Sequence, residues 1–224
     1  MTMKTDDVID RLAADLAPVR PLRPPGLRAA WWVLVAVVYF AILTLARPGF
    51  GFELDGNVVG FLVIQAIGFV AGVLAAIAAF ASVVPGYPNR MTVWALISAF
   101  GWLAIMAVSA FGANESAAIW SAQHEWVCVA VIVIGGAPLI AALSIMLRRG
   151  APLSPIRTGL LTAVAVGLLA NFAACFSRPH AADVVTLVWH GSAVLGLIVV
   201  CVASARFVLR WNAGESSHPS EVRQ

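Results

Sequence analysis

Six long apolar stretches constrain the fold of this sequence more than any other feature. Crossing the hydrocarbon core of a bilayer takes about 20 predominantly apolar residues in a helix. Hydrophobic residues make up 61% of the chain and charged residues 11%, whereas about 25% of a soluble domain is charged. We therefore predict an integral membrane protein of the all-α class. The predicted spans are 29–46, 58–84, 91–112, 126–147, 158–176 and 184–209.

The spans divide the chain into three parts with a predicted orientation. Residues 1–28 form an N-terminal segment, 29–209 a six-helix transmembrane domain and 210–224 a polar tail that we expect to be disordered. The first span is too long for a cleaved signal peptide, so we expect it to be retained. An even number of spans places both termini on one side, and of the 14 basic residues only Arg47 and Arg178 fall on the other. Basic loops stay in the cytoplasm, so the pattern predicts that both termini are cytoplasmic.

The N-terminal segment begins with "KTDDVIDRLAADLAPVRPLRPPGLR" at residues 4–28. Thr5 or Asp6 is a suitable N-cap, apolar residues recur at helical spacing, and Pro18 ends the pattern. About 12 residues is marginal for an isolated helix, so we expect it to dock on the membrane surface, on the chain's own loops or on another protein. Its excess of acidic residues disfavours anionic lipid and favours a groove on a protein partner. The candidate partner-binding residues are Asp6, Asp7, Val8, Ile9, Leu12 and Leu16.

Polar side chains are scarce inside the predicted spans. We identify Gln65, His190 and Arg206 as the candidates, and Arg206 lies near enough to a helix end to extend toward water. A channel or carrier normally keeps ionisable groups within the membrane, so this scarcity disfavours transport. Small residues from Gly68 to Ala79 recur at a spacing that predicts close helix packing.

The cysteines and histidines suggest chemistry at the outer side. With the predicted orientation, Cys128 and Cys175 lie at the outer ends of the fourth and fifth spans, whereas Cys201 lies toward the inner leaflet as a small buried hydrophobe. Two thiols facing an oxidising compartment suit a redox switch, and thiolate with imidazole suits a soft metal ion. His190 has a second interpretation, as a core histidine hydrogen-bonded between helices. The candidate ligands of a transient metal ion are Cys128, Cys175, His124, His180 and His190.

Five stretches together resemble a known family. They are "MKTDDVIDRLAADLAPVRPL", "EWVC", "GGAPL", "RRGAPLSPIRTGLL" and "VWHGSAVLG", and they resemble the NrsF-like family of bacterial six-helix inner-membrane anti-sigma factors. The resemblance implies that the N-terminal segment holds an extracytoplasmic-function sigma factor at the membrane. It also implies that Cys128 and Cys175 take part in sensing metal or oxidative stress. The chain reads "AACFSRPH" around Cys175, which departs from the family pattern and favours a thiol switch over a fixed metal site.

The sequence therefore supports a signalling protein without enzymatic activity, bound to the bilayer and to a sigma factor rather than directly to nucleic acid. No cofactor is expected apart from a transient metal ion, and the oligomeric state is left open. The alternative is a membrane thiol oxidoreductase or a small carrier, with Cys128 and Cys175 as a catalytic pair. That alternative predicts turnover and a second cysteine pair, and the sequence has only 3 cysteines.

Overall fold

A computed structural model describes residues 22–46, 58–112, 125–150, 154–177 and 184–209, together with Ile9, Ala13 and Ala14. These ranges fold into helices, with no strand among them, and six helices are long and apolar enough to cross a membrane. The prediction of an all-α protein with six spans is confirmed. The helices are α1 (Pro25–Leu45), α2 (Val58–Ala81), α3 (Arg90–Gly112), α4 (Glu125–Arg148), α5 (Pro155–Ser177) and α6 (Val184–Val208).

The first helix begins before the predicted start of its span. Pro25 occupies the first turn of α1, where a proline costs no hydrogen bond because the first backbone N–H groups of a helix have no acceptor within it. The helix therefore includes Arg28, whose side chain is buried. The buried side chain of Arg28 therefore packs the start of α1 against the rest of the bundle.

Helix α5 lies at the centre of the bundle. It packs against α1, α2, α4 and α6, and 83% of its membrane-length window is buried, against 17–39% for the other helices. The contact with α2 uses the predicted small residues, because a Cβ added at Gly72 would lie 3.3 Å from Leu168 Cβ. Ala71, Ala75 and Ala79 on α2 are fully buried. The predicted packing role of this stripe is confirmed.

Helix α3 is attached to α2 through a tryptophan. Trp102 donates its indole N–H to the carbonyl oxygen of Ile64 at 3.1 Å. The ring lies against Gly68, where an added Cβ would come within 2.5 Å of Trp102 Nε1. Gly68 is therefore required by the close approach of this indole.

One end of the bundle, which we call the arginine end, comprises the start of α1, α3 and α5 and the finish of α2, α4 and α6. Arg28 Nη2 donates to the carbonyl oxygen of Met146 at 2.6 Å, and Arg148 Nε donates to the carbonyl oxygen of Val208. Arg157 donates to Asn89 Oδ1 at 2.6 Å. These contacts join α1 to α4, α4 to α6, and α5 to the turn before α3. The described arginines all lie at this end, which agrees with the predicted clustering of basic residues on one side.

Candidate functional site

The opposite end of the bundle, which we call the cysteine end, brings together the first turns of α4, the last turns of α5 and the first turns of α6. The rings of Trp126 on α4 and Trp189 on α6 lie 5.1 Å apart, centroid to centroid. Cys175 Sγ on α5 lies 3.9 Å from His190 Nδ1 on α6. Cys128 is in the first turn of α4 and is buried in the hydrophobic core. The fold therefore gathers the helix ends that carry Cys128, Cys175 and His190.

His190 is held by a side chain that the sequence analysis did not single out. Its Nδ1 lies 2.8 Å from Asn171 Oδ1, and an amide oxygen only accepts hydrogen bonds, so Nδ1 carries the proton. This hydrogen bond fixes the ring between α5 and α6. Asn171 and His190 are both buried, with 1% and 5% of their surface exposed. We name Asn171, Cys175 and His190 the polar cluster.

Asn171 was missed because its spacing to His190 carries no local signal. It is a single amide within an otherwise apolar span, one helical turn before Cys175. The i, i+4 spacing could have placed Asn171 and Cys175 on one face of α5. Only the pairing of α5 with α6 brings that face to His190. The prediction that Gln65, His190 and Arg206 are the polar residues within the spans is therefore incomplete.

The three cysteines lie in different surroundings. All are buried thiols, with 4% of Cys128 and 7% of Cys175 exposed. Cys175 belongs to the polar cluster, and Cys128 packs in the hydrophobic core at the cysteine end. Cys201 lies toward the arginine end of α6 and is buried among small and apolar side chains. The prediction that Cys201 is a small buried hydrophobe is confirmed.

The described residues provide part of the predicted ligand set for a metal ion. Cys175 and His190 come together, whereas His124 and His180 lie outside the described residues. Within the described ranges no group of three or more His, Cys, Asp or Glu side chains could hold a metal ion. A metal site at Cys128, Cys175, His124, His180 and His190 remains a prediction.

The predicted partner-binding residues fall mostly outside the described part of the chain. Asp6, Asp7, Val8, Leu12 and Leu16 lie there, so their roles remain predictions. Ile9, Ala13 and Ala14 are helical and exposed, with 56% of Ile9 accessible. An exposed isoleucine on a helix is the type of residue that a partner groove would cover.

Together these features define the class of protein: a six-helix polytopic membrane protein with a buried thiol and imidazole cluster at one end and an arginine-rich surface at the other. A family model described as NrsF, negative regulator of sigma F, matches residues 12–211. The chain belongs to this family, which confirms the resemblance found in the sequence and supports an anti-sigma role. No curated protein and no solved structure matches the chain.

Proposed function

We propose that this protein is an anti-sigma factor of the bacterial inner membrane that sequesters an extracytoplasmic-function sigma factor and releases it when Cys128 and Cys175 react. The observation that carries the proposal is the family match over residues 12–211. In the proposed orientation the arginine end and both termini face the cytoplasm, and the cysteine end faces the periplasm. The helix near Ile9 holds the sigma factor, and the protein has no catalytic activity.

The polar cluster suits a thiol sensor. Metal ions and oxidants react with the thiolate form of cysteine, and the Nδ1–H group of His190 lies 3.9 Å from Cys175 Sγ. In the oxidative case a bond forms between the two sulfurs, two protons leave, and two electrons pass to the oxidant that acts as inducer. In the metal case the thiols lose protons and bind a soft cation, and His190 would ligate it through Nε2, because Nδ1 donates to Asn171.

A continuous set of contacts supports transmission through the bundle. Cys128 lies near the start of α4, and the end of that helix receives the hydrogen bond from Arg28 on α1. The Arg28 guanidinium also lies 4.7 Å from the ring centroid of Phe80 on α2. A displacement of α4 at the cysteine end therefore reaches α1. Because α1 follows the N-terminal segment in the chain, this contact is the proposed route to the bound sigma factor.

The energy needed for release is modest. Moving a partner from 1% to 99% released requires the two states to differ in affinity by about 5.5 kcal/mol. Burying one large apolar side chain contributes about 1.5 to 3 kcal/mol. Loss of the docked apolar stripe, which includes Ile9 and Leu12, is large enough to account for this difference.

The thiol hypothesis is tested in cells that carry a reporter of the sigma factor. We expect the Cys128→Ser/Cys175→Ser variant to repress the reporter normally and to lose its response to oxidant or soft metal. Cys201→Ser is the matched control, because this buried thiol lies away from the cysteine end, and it should respond normally. A normal response in the double variant would reject Cys128 and Cys175 as the sensor.

The partner hypothesis is tested by deleting residues 1–17. A regulator loses co-purification of the sigma factor while the six helices still insert in the membrane, whereas an oxidoreductase or carrier keeps its activity.

Cysteine labelling in intact cells tests the orientation. A reagent that cannot cross the membrane should reach a cysteine placed in the outer loop at Ala118 but not one placed at Thr5, and equal labelling of both would contradict the proposed topology.

A further inference from the structure

A groove of about 320 Å³ lies between α4 and α6 at the arginine end. One wall is a single face of α4 from Ala137 to Arg148, and the facing wall runs along α6 from Cys201 to Leu209. Gly159 and Thr162 of α5 form the floor. The lining is mostly apolar, and Arg148 stands at its outer limit.

Small residues at the helix crossing create this groove. A Cβ added at Gly159 would lie 2.8 Å from Ala205 Cβ and 2.9 Å from the carbonyl oxygen of Cys201, so α5 and α6 approach closely here. The α4 wall includes three small residues, Ala137, Ala141 and Ser144, as well as two isoleucines. The space between α4 and α6 is therefore left unfilled above the close contact of α5 with α6.

The length of the groove matches one bilayer leaflet. Eleven helical steps separate Ala137 from Arg148, which is about 16 Å at the rise of an α-helix. A leaflet contributes half of a hydrocarbon core of about 30 Å. The groove therefore runs from the middle of the membrane to the interface, which is the path of an acyl chain.

The charge at the end of the groove indicates the head group. Arg148 Nε donates to the carbonyl oxygen of Val208. This bond fixes the guanidinium and does not use its two terminal nitrogen atoms. Arg149 follows in the chain and is exposed, which adds a second positive charge at this end. Among the residues that the structure describes, the one acidic residue is Glu125, which begins α4 at the opposite end. The planar guanidinium fork matches a phosphate, which is the anion that a phospholipid head group carries.

We propose that this groove binds one anionic phospholipid from the leaflet at the arginine end. Its acyl chain lies between α4 and α6 against Ala141 and Ala205, and its phosphate pairs with Arg148. The lipid completes the packing of α4 with α6. The site is separate from the polar cluster and from the N-terminal helix, so it does not depend on the proposed sensing reaction.

Two variants of the full-length protein test the site. Ala141→Phe fills the groove, and Arg148→Gln removes the charge at its end. The matched controls are Ala104→Phe on the exposed face of α3 and Arg206→Gln, an exposed arginine of α6 that does not line the groove. Native mass spectrometry measures retention of phosphatidylglycerol and phosphatidylcholine after exchange into detergent.

We expect the wild type and both controls to retain one phosphatidylglycerol in preference to phosphatidylcholine. Retention should fall by about tenfold or more in Arg148→Gln, because the charged hydrogen bond to the phosphate is lost. It should fall as much in Ala141→Phe, because the ring occupies the space of the acyl chain. If Ala141→Phe does not fold, Ala141→Leu replaces it, and the pair Arg148→Gln and Arg206→Gln still decides the role of charge.

Three results would overturn the proposal. Equal loss in Arg148→Gln and Arg206→Gln would mean that general surface charge holds the lipid. Undiminished retention in a folded Ala141 variant would mean that the acyl chain lies elsewhere. Inorganic phosphate that raises the melting temperature as much as phosphatidylglycerol would indicate a free-anion site without a lipid.

Discussion

The two ends of the bundle are held together by different interactions. At the arginine end, side chains cross between helices and bond to carbonyl oxygens, as Arg28 does with Met146 and Arg148 with Val208. At the cysteine end, aromatic rings pack between helices instead, with Phe61 of α2 and Phe176 of α5 at 5.6 Å between centroids. The polar cluster is the buried exception there.

This difference bears on how a signal could arise. Directional charged hydrogen bonds fix the helix ends relative to each other, whereas ring contacts are individually weak and permit small displacements. In the proposed sensing reaction, a disulfide or a bound metal ion at Cys175 would act where the packing opposes a change in helix position least. The arginine end is better suited to passing a displacement on than to starting one.

The largest expected difference in stability is between two glycine-to-alanine substitutions where α5 meets α6, one at the arginine end and one at the cysteine end. Gly159→Ala should destabilise the protein by about 3 kcal/mol, because its Cβ meets Ala205 and the backbone of Cys201, neither of which can swing away. Gly191→Ala should be neutral or stabilising by up to about 1 kcal/mol, because no atom lies within 4 Å of its Cβ and alanine favours helix.

The measurement is thermal unfolding of each variant in the same detergent. Equal melting temperatures for Gly159→Ala and Gly191→Ala would contradict the close backbone packing assigned to the arginine end.

An intermediate effect is expected from the polar cluster. Asn171→Leu removes the acceptor of a buried imidazole N–H and should destabilise the protein by about 1 to 3 kcal/mol. The double variant Asn171→Leu/His190→Phe should recover most of this loss, because replacing both partners by apolar groups leaves no polar atom unsatisfied. Unfolding free energies of the four proteins of this cycle provide the test, and strictly additive losses would mean that the two residues do not interact.

The smallest expected effect is at the arginine end. Ser82, in the turn directly after α2, shares a buried hydrogen bond of 2.8 Å with Thr158 of α5. Thr158→Val should therefore destabilise the protein by about 1 kcal/mol. Thr44→Val is the control, since that hydroxyl bonds only within its own helix, to the carbonyl of Phe40. Thr158→Val melting no lower than Thr44→Val would show that this contact adds nothing between helices.

The sequence predicted some parts of the structure well. The six spans followed from local apolar length, and the small residues from Gly68 to Ala79 predicted close packing. The residues Cys128, Cys175 and His190 were singled out by chemistry and position along the spans. Asn171 was not, because its importance comes from a neighbour on another helix, His190.

Sequence alone determined that the chain forms six membrane-length helices, because each span depends on the composition of its own residues. Only the tertiary structure decided which helix is central. Helices α3 and α5 have equal mean hydropathy over their membrane windows, yet 17% of the first and 83% of the second are buried. Lipid tails are as apolar as leucine, so hydropathy does not distinguish a helix face that meets lipid from one that meets protein. Close fit at positions such as Gly72 and Gly159 makes that distinction, and it exists only once the helices have assembled.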